Sequence, residues 1–226
     1  MNSVIIIGGH GKVALLTEQI LSGPDNVTVD AVIRNPEHGG DVVAHGANPV
    51  IFDIEEHDTE AIAALLQGHD AVVWSAGAGG GNPERTYSVD RDAAIRTIDA
   101  AIEAGVKRFV MVSYMGAGPE HGVPEDNSFF PYAEAKTDAD AYLRTLGNDL
   151  DWTILQPTTL TLDGPTRAID VVPYANGRVP DDASGRTVSR ANVARVIEAT
   201  LEDDSTIGRT IPFMDGSTPI REAIKL

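Results

Sequence analysis

Six short apolar runs alternate with helix-like segments along the first 157 residues, and this alternation limits the folds open to the chain. The runs are SVIIIG, VTVDAVI, NPVIFDI, DAVVWSA, RFVMVS and DWTILQP, which end at residues 8, 33, 54, 76, 113 and 157. Continuous apolar stretches of this length are typical of strands buried on both faces. Strands that alternate with helices predict a parallel sheet with right-handed crossovers. The expected fold is a doubly wound α/β sheet, which binds ligands at the carboxyl ends of its strands.

The intervening segments carry helix signals. The predicted helices span residues 11–21, 60–67, 87–104, 132–146 and 191–201. The first should end at Ser22-Gly23-Pro24, Asp58 or Thr59 should cap the second, and Ser189 should cap the last. After a final strand, RTIPFM, Thr218-Pro219 should open a short C-terminal helix.

The length of 226 residues suits one large α/β domain. Residues 158–188 hold glycines, prolines and short β-like pieces, so the pattern is less regular there. We predict a single domain over residues 1–226, in which 158–188 and the C-terminal segment form a small substrate lobe packed on the same sheet.

A glycine-rich turn, GGHGK, joins the first strand to the first helix, and turns of this kind commonly hold phosphate groups. A mononucleotide P-loop is one alternative, and it needs Ser or Thr after its Gly-Lys pair. Here Val13 follows Lys12, and Ile6 stands where the first glycine of a P-loop belongs. The P-loop interpretation therefore fails.

The dinucleotide-binding pattern fits the same turn. Gly8-x-x-Gly11-x-x-Ala14 and Gly9-x-Gly11-x-x-Ala14 are both present. The first glycine allows a tight turn out of the strand, the next lets the backbone approach a pyrophosphate, and a small third residue lets the helix pack closely. An ordinary glycine-rich turn is the competing interpretation, and the rest of the Rossmann-like pattern favours the dinucleotide site.

The carboxyl ends of the next strands supply further candidates. Arg34 follows the second strand, where an arginine suits the 2′-phosphate of NADP and an acidic residue would suit the ribose of NAD. We therefore expect NADP, with NAD as the alternative. Asp53 could accept from the adenine amine or act as a structural cap. The predicted cofactor-contacting residues are Gly8, Gly9, His10, Gly11, Lys12, Val13, Arg34, Asp53, Ile54, Ser75, Ala76, Gly77, Lys136, Pro157 and Thr158.

Composition narrows the possible partners. Lys and Arg number 17 against 34 Asp and Glu, so the formal net charge is −17, which argues against nucleic acid and anionic membranes. The chain has no cysteine, and its six histidines show no paired metal spacing, so we expect no metal site. No signal segment or spanning helix is recognisable. We expect a cytoplasmic monomer or homodimer that acts on a small-molecule substrate.

The segment YAEAK places Tyr132 and Lys136 four residues apart near the start of a helix, and therefore on one face. An ammonium beside a phenol favours the phenolate, so we expect Lys136 to lower the pKa of Tyr132. Ser113 ends the fifth strand, where its hydroxyl could bind a substrate oxygen. Together these three side chains form a candidate catalytic group.

The chain resembles the short-chain dehydrogenase/reductase superfamily, in particular its atypical NAD(P)H-binding branch. The resemblance covers essentially the whole chain and rests on GGHGKVA, AVVWSAG, AGVKRFVMVS, YAEAK, DWTILQP and SRANVARV. It implies that Tyr132 donates a proton to a carbonyl oxygen during reduction, or removes it during oxidation. It also implies that Lys136 holds the nicotinamide ribose and tunes Tyr132, and that Ser113 polarises the carbonyl.

The chain departs from this family pattern at three places. Many relatives have the catalytic serine one residue further on, where this chain has Tyr114. Asp90 stands where an asparagine commonly completes a proton relay, and Gln156-Pro157-Thr158 replaces the common Arg-Pro-Gly. These departures leave the expected cofactor binding intact but bear on turnover.

The resulting hypothesis is an NADP-dependent oxidoreductase that acts on a small carbonyl or unsaturated substrate. One alternative is a regulatory protein that senses NAD(P)H without turnover. Another is an epimerase or dehydratase acting on a nucleotide sugar, for which the C-terminal region is short.

Overall fold

The computed structural model describes residues 1–23, 27–147, 149–174, 176–181 and 183–225. The six apolar runs form β1 (Ser3–Ile7), β2 (Thr28–Ile33), β3 (Asn48–Ile51), β4 (Ala71–Trp74), β5 (Arg108–Val112) and β6 (Asp151–Pro157). These strands lie in the order β3-β2-β1-β4-β5-β6, and each neighbouring pair is parallel. The predicted doubly wound α/β fold is therefore confirmed.

Helices cover both faces of the sheet. They are α1 (Lys12–Leu21), α2 (Gly39–Ala44), α3 (Thr59–Leu66), α4 (Pro83–Thr86), α5 (Ala94–Glu103), α6 (Phe130–Thr145), α7 (Arg190–Glu202) and α8 (Ile220–Ala223). Because side chains alternate along a strand, Val4 and Ile6 of β1 join the apolar cluster beneath α1 and α7. Ile5 and Ile7 join the cluster beneath α3, α5 and α6. The unbroken apolar run of β1 thus reflects burial on both faces.

Side-chain caps begin two of the predicted helices. The Asp58 carboxylate accepts from the Ala61 amide at 2.9 Å, which selects Asp58 over Thr59 as the cap of α3. The Ser189 hydroxyl accepts from the Asn192 amide at 3.1 Å, as expected at the start of α7. Helix α1 ends at Leu21, and Pro24 lies outside the described residues.

The long helix after β4 begins earlier than predicted. It was expected from residue 87, but α4 begins at Pro83, and a π-helical segment, Tyr87–Ala93, connects α4 to α5. The Asn82 side chain accepts from the Arg85 amide at 3.1 Å, and proline at the first helical position needs no amide partner. The Asn-Pro pair is therefore the start signal that the prediction missed.

The described residues of the C-terminal part form five strands. They are β7 (Thr159–Thr161), β8 (Ala168–Val171), β9 (Thr187–Ser189), β10 (Arg209–Asp215) and β11 (Thr218–Pro219). Of these, β10 is the predicted final strand RTIPFM, and β7, β8 and β9 include or border the short β-like pieces of residues 158–188. Strand β10 adds to β6 in parallel, β8 and β11 extend the same sheet antiparallel, and β7 pairs with β9 separately. Thr218-Pro219 is therefore a short edge strand, and α8 starts one residue later than predicted.

Asn192 connects the pieces of this C-terminal region. Its side-chain amide donates to the Thr166 hydroxyl at 2.6 Å, to the Ala168 carbonyl at 3.2 Å and to an Asp215 carboxylate oxygen at 2.6 Å. The other Asp215 oxygen accepts from the Ser189 amide at 3.0 Å. The motif SRANVARV thus joins α7 to two strands of the main sheet.

Candidate functional site

A cavity opens at the carboxyl ends of β1, β2 and β4, next to the position where the strand order reverses. Doubly wound sheets bind their ligands at this switch point. The predicted cofactor residues that line it are Gly8, His10, Gly11, Arg34, Asp53, Ile54, Ser75, Ala76 and Gly77. We call it the cofactor cavity below.

Gly8 makes the turn out of β1. Its φ of +88° lies in the left-handed region that side chains with a Cβ rarely adopt. A Cβ at this position would also lie 2.6 Å from the Cα of Ala76, which follows β4. Glycine is therefore required here by backbone conformation and by the close approach of two chain segments.

Gly9 has a different role from the one expected, because it does not line the cavity. Its amide donates to the Val32 carbonyl at 2.9 Å. A Cβ would lie 2.6 Å from the Cβ of Ala31, so the loop packs directly on β2. Of the two glycine patterns considered, Gly8-x-x-Gly11 is the one in which both glycines face the cavity.

The N-terminus of α1 fits a phosphate group. Gly11 is the N-cap residue and offers no side-chain cap, so the first amides of the helix are left for a ligand. Lys12 is exposed and Val13 is packed in the core, and neither side chain lines the cavity. These two residues can therefore serve a ligand only through their amides at the helix N-terminus.

Two arginines and a glutamate meet at the outer end of the cavity. Arg34, whose side chain is 57% exposed, donates to Glu55 Oε1 at 3.2 Å. Arg85 donates to the same oxygen from Nη2 at 2.7 Å and from Nε at 3.0 Å. Glu55 and Arg85 were not predicted, because their pairing joins segments 30 residues apart.

A second unpredicted element, Asn35 to α2, forms another wall. The His10 and His38 rings stack with centroids 3.6 Å apart, and His10 Nε2 lies 2.8 Å from an Asp41 carboxylate oxygen. Asn35 and His38 also line the cavity. The available signal was Asn35-Pro36, since the Asn35 side chain accepts from the Glu37 amide and proline opens the turn.

The position of Asp53 is compatible with both roles that the sequence left open. It lines the cavity, where its position suits an adenine contact. One of its carboxylate oxygens accepts from the Glu55 amide at 3.0 Å, so it also holds the turn after β3.

The predicted catalytic pair lies on α6. The Lys136 side chain is 1% exposed, and its Nζ donates to the Val112 carbonyl at 2.9 Å, at the end of β5. Burial raises the pKa values of Asp90 and Asp140 above the ordinary aspartate value, and the Lys136 charge offsets part of that rise.

The expected lowering of the tyrosine pKa is not observed. Burial raises the pKa of Tyr132 above its ordinary value, and Asp90, Tyr114 and Asp140 act in the same direction. Tyr132 therefore remains a neutral phenol throughout the physiological pH range. It lines a second cavity, formed with residues 80–83, Thr86 and part of segment 125–131.

Ser113 is turned into a buried polar network. It is 5% exposed, and its hydroxyl donates to an Asp140 carboxylate oxygen at 2.8 Å. The Gln156 amide donates to the same oxygen at 3.0 Å, and the Tyr174 hydroxyl donates to the Gln156 side-chain carbonyl at 2.7 Å. This network engages the hydroxyl that was expected to polarise a substrate carbonyl.

Three further positions considered in the sequence are Asp90, Pro157 and Thr158. One Asp90 carboxylate oxygen accepts from the Ala78 amide at 3.0 Å, while the other is buried without a partner among the described residues. Pro157 and Thr158 do not line the cofactor cavity. The Thr158 hydroxyl is likewise buried with no partner in the described chain.

Comparison with known proteins identifies the class of protein. A family model described as NAD(P)H-binding matches residues 8–204, so the chain belongs to this family. Its fold and motifs place it in the atypical short-chain dehydrogenase/reductase superfamily.

Individual relatives match along nearly their full length. YhfK of Bacillus subtilis, described as an uncharacterized sugar epimerase, is 32% identical, and the match covers 98% of each chain. The structure of a candidate NAD-dependent epimerase/dehydratase from Bacillus halodurans has a TM-score of 0.86 at 31% identity, covering 100% of this chain and 99% of that one. The oxidoreductase ylbE from Lactococcus lactis has a TM-score of 0.81 at 30% identity, covering 99% and 95%.

Two searches of the structure bear on other kinds of site. Among the described residues, no group of three or more His, Asp or Glu side chains is arranged to hold a metal ion. None of the helices in the described ranges is long and apolar enough to cross a membrane.

Proposed function

We propose that this chain is an NADP-dependent oxidoreductase that reduces a small carbonyl or comparable unsaturated compound. The proposal rests on one combination of features. The cofactor cavity can receive phosphate groups at the N-terminus of α1, and Tyr132, a neutral phenol, lines the second cavity. Family membership supports the nicotinamide cofactor.

The preference for NADP is proposed from the charges at the outer end of the cofactor cavity. Arg34 lines the cavity and is more than half exposed, so its guanidinium can reach a 2′-phosphate. Arg85 lies beside it, and both share Glu55 as their acidic partner. A 2′-phosphate would compete with this carboxylate for Arg34. The first amides of α1 would hold the pyrophosphate.

The bound nicotinamide supplies a hydride for such a reduction. In our proposal, Tyr132 protonates the developing alkoxide oxygen, which requires the neutral phenol that its raised pKa provides. Lys136 would hold the nicotinamide ribose, since α6 places it at the carboxyl end of β5. The raised pKa favours the reductive direction, because oxidation needs the phenolate as a base.

Non-catalytic sensing of NAD(P)H is the second candidate function. The hydrogen bond from Ser113 to Asp140 favours it, because this bond occupies the hydroxyl that the sequence predicted to polarise a substrate carbonyl. In that case Tyr132 and Lys136 would serve only to bind the cofactor.

Tyr132→Phe tests the proposal. The change deletes one hydroxyl and little volume, so NADPH affinity should survive while turnover in a carbonyl screen falls about 10²- to 10⁴-fold. NADPH consumption and calorimetric titration provide the two readouts. In the wild type, kcat should stay level as pH rises from about 6 to about 9, because Tyr132 keeps its proton there.

Tyr142→Phe is the matched control, since Tyr142 lies on the same helix and its hydroxyl donates to Asp99. Equal turnover in the Tyr132→Phe and wild-type proteins would contradict the role proposed for Tyr132. No carbonyl-dependent NADPH consumption by either protein would remove the reductase. In that second case, non-catalytic sensing of NAD(P)H would become the preferred function.

A further inference from the structure

The second cavity lacks the cationic groups that bind phosphates. Its volume is about 620 Å³, large enough for a ring-sized compound. Among the described residues that line it, Glu125 is the one formally charged side chain, and none is Lys, Arg or His. The cofactor cavity, by contrast, is lined by Arg34 and Arg85.

Helix α6 begins beside this cavity, but its first amides are already used. The Phe129 amide donates to the Asn127 side chain at 2.9 Å, and the Phe130 amide donates to the Asn127 carbonyl at 2.9 Å. Pro131 has no amide hydrogen. The first three positions of the helix start, Phe129 to Pro131, therefore offer no free amide to an anion, although such positions elsewhere commonly bind one.

The walls instead offer flat apolar surface. Phe129 is 43% exposed, and its ring lies 5.2 Å from that of Tyr132. Pro83 and Pro131 add rigid apolar sides. An exposed aromatic side chain at a cavity mouth is suited to stacking with a ring of the ligand.

We propose, resting on the function proposed above, that the substrate is an uncharged carbonyl compound with an apolar, ring-sized body. A nucleoside diphosphate sugar does not fit this cavity, because its pyrophosphate would find no cation there and would face Glu125. The net charge of −17 adds a general repulsion.

The test compares 4-methylbenzaldehyde with 4-carboxybenzaldehyde, which are similar in shape and differ in charge. We expect kcat/KM with NADPH to favour the uncharged aldehyde about tenfold or more, and UDP-glucose at millimolar concentration not to compete. Glu125→Lys should lower the ratio of kcat/KM for the uncharged aldehyde to kcat/KM for the carboxylated one. Glu103→Lys, which alters an exposed residue of α5, should leave this ratio unchanged. Equal or better use of the carboxylated aldehyde, or competition by UDP-glucose, overturns the substrate class while leaving the reductase in place.

If neither aldehyde is reduced, binding decides the substrate class. Saturation-transfer NMR with NADP⁺ present should then show contact with 4-methylbenzaldehyde that is lost in Phe129→Ala. That result keeps the cavity assignment and removes the reductase, whereas no contact with the aldehyde overturns both.

An independent observation concerns Tyr114, which follows Ser113 at the end of β5. Its hydroxyl is buried without a partner among the described residues, and burial raises its pKa. Its ring lies 5.3 Å from that of Tyr132 and 5.4 Å from that of Phe129. An orphaned buried donor costs free energy, so a ligand oxygen would be a favourable partner for it.

We infer that Tyr114, in place of Ser113, donates the second hydrogen bond to the substrate carbonyl oxygen. The hydride goes to the carbonyl carbon, the Tyr132 proton goes to the oxygen, and Tyr114 keeps its own proton while stabilising the developing charge. The hydroxyl of Ser113 is already committed to Asp140. This inference rests on the proposed reduction.

Tyr114→Phe should lower kcat about 10²- to 10³-fold, the usual effect of removing one donor to a developing oxyanion. NADPH affinity should not change, since the ring is retained, and the thermal midpoint of the free protein should not fall, since the deleted hydroxyl has no partner among the described residues. Ser113→Ala should lower kcat by less than Tyr114→Phe does. Wild-type kcat in Tyr114→Phe, alongside lost turnover in Tyr132→Phe, would overturn the inference and leave the reductase standing; a wild type that reduces no carbonyl overturns both.

Discussion

At the scale of single residues, Glu18 is a buried carboxyl group whose surroundings disfavour its charged form. It lies on α1, is 0% exposed, and neither carboxylate oxygen has a hydrogen-bond partner among the described residues. Burial raises its pKa from 4.5 to about 8. The folded protein therefore holds a proton on Glu18 that the unfolded chain has lost over the window between these values.

Stability should consequently fall as pH rises through that window, by at most about 1.4 kcal/mol per pH unit, and level off above it. Glu18→Gln removes the titration, so the variant should be close to wild type near pH 5 and more stable near pH 8. Urea unfolding at both pH values measures this, with the exposed Glu103→Gln as control. Parallel stability curves for Glu18→Gln and wild type would show that Glu18 does not titrate in this range.

At the same scale, the proposed preference for NADP rests on Arg34. Arg34→Ala should weaken NADPH binding by about 1 to 3 kcal/mol, the range for a lost charge-assisted hydrogen bond, and leave NADH nearly unaffected. Calorimetry with both cofactors measures the difference. Arg178→Ala is a suitable control because its side chain is 80% exposed and pairs with Glu120, away from the cofactor cavity. A wild-type preference for NADH would contradict the role assigned to Arg34.

Sequence reasoning placed residues at strand ends well, because parallel strands bring their carboxyl ends to one edge. Arg34 and Ser75 line the cofactor cavity for this reason. It missed Arg85 and Glu55, whose contact depends on how α4 packs over the turn after β3. It also assigned Ser113 by pattern alone, and the partner Asp140 is visible only in three dimensions.

At the scale of elements, the turn between β1 and α1 makes the cofactor claim testable. Gly11 has φ −65° and ψ 145°, which any residue can adopt, and it lines the cavity. Gly11→Val should therefore keep the fold, with some crowding because a Cβ would lie 3.2 Å from the Gly8 carbonyl oxygen. The branched side chain would fill the space needed by the pyrophosphate, so binding of NADPH and NADH should be lost.

Gly164→Val is the control for that variant, because a Cβ at Gly164 has open space around it. Calorimetry and circular dichroism together separate lost binding from lost folding. Unchanged NADPH affinity in a folded Gly11→Val protein would show that the pyrophosphate does not lie against this turn.

Elements with strong local signals were predicted, and those that depend on tertiary contact were not. The six apolar runs gave six strands, of which five are largely buried and β3, at the edge of the sheet, is partly exposed. Helix α2, Gly39–Ala44, has two glycines at its start, which disfavour a helix by about 1 kcal/mol each. Val42 of this helix is fully buried, so its packing in the core compensates for the low helix propensity of the two glycines. The short strand β8 is likewise stabilised by its antiparallel pairing with β10.

At the scale of the whole molecule, the two cavities differ in the charged residues that line them. The chain carries a formal net charge of −17, yet the cofactor cavity is lined by Arg34 and Arg85 and by the N-terminus of α1. In the proposed function, the phosphates of the dinucleotide would meet Arg34 and the first amides of α1 at this edge of the sheet. The second cavity follows the overall acidic character and is suited to an uncharged compound.

The most direct measurement of the central claim follows the hydride. Purified protein is mixed with 4-methylbenzaldehyde and NADPH deuterated at C4, using each face of the ring in turn. The account predicts that one of the two deuterated cofactors yields 4-methylbenzyl alcohol with a single deuterium on the alcohol carbon, and that Tyr132→Phe slows its formation. Bound NADPH that transfers deuterium from neither face would contradict the account.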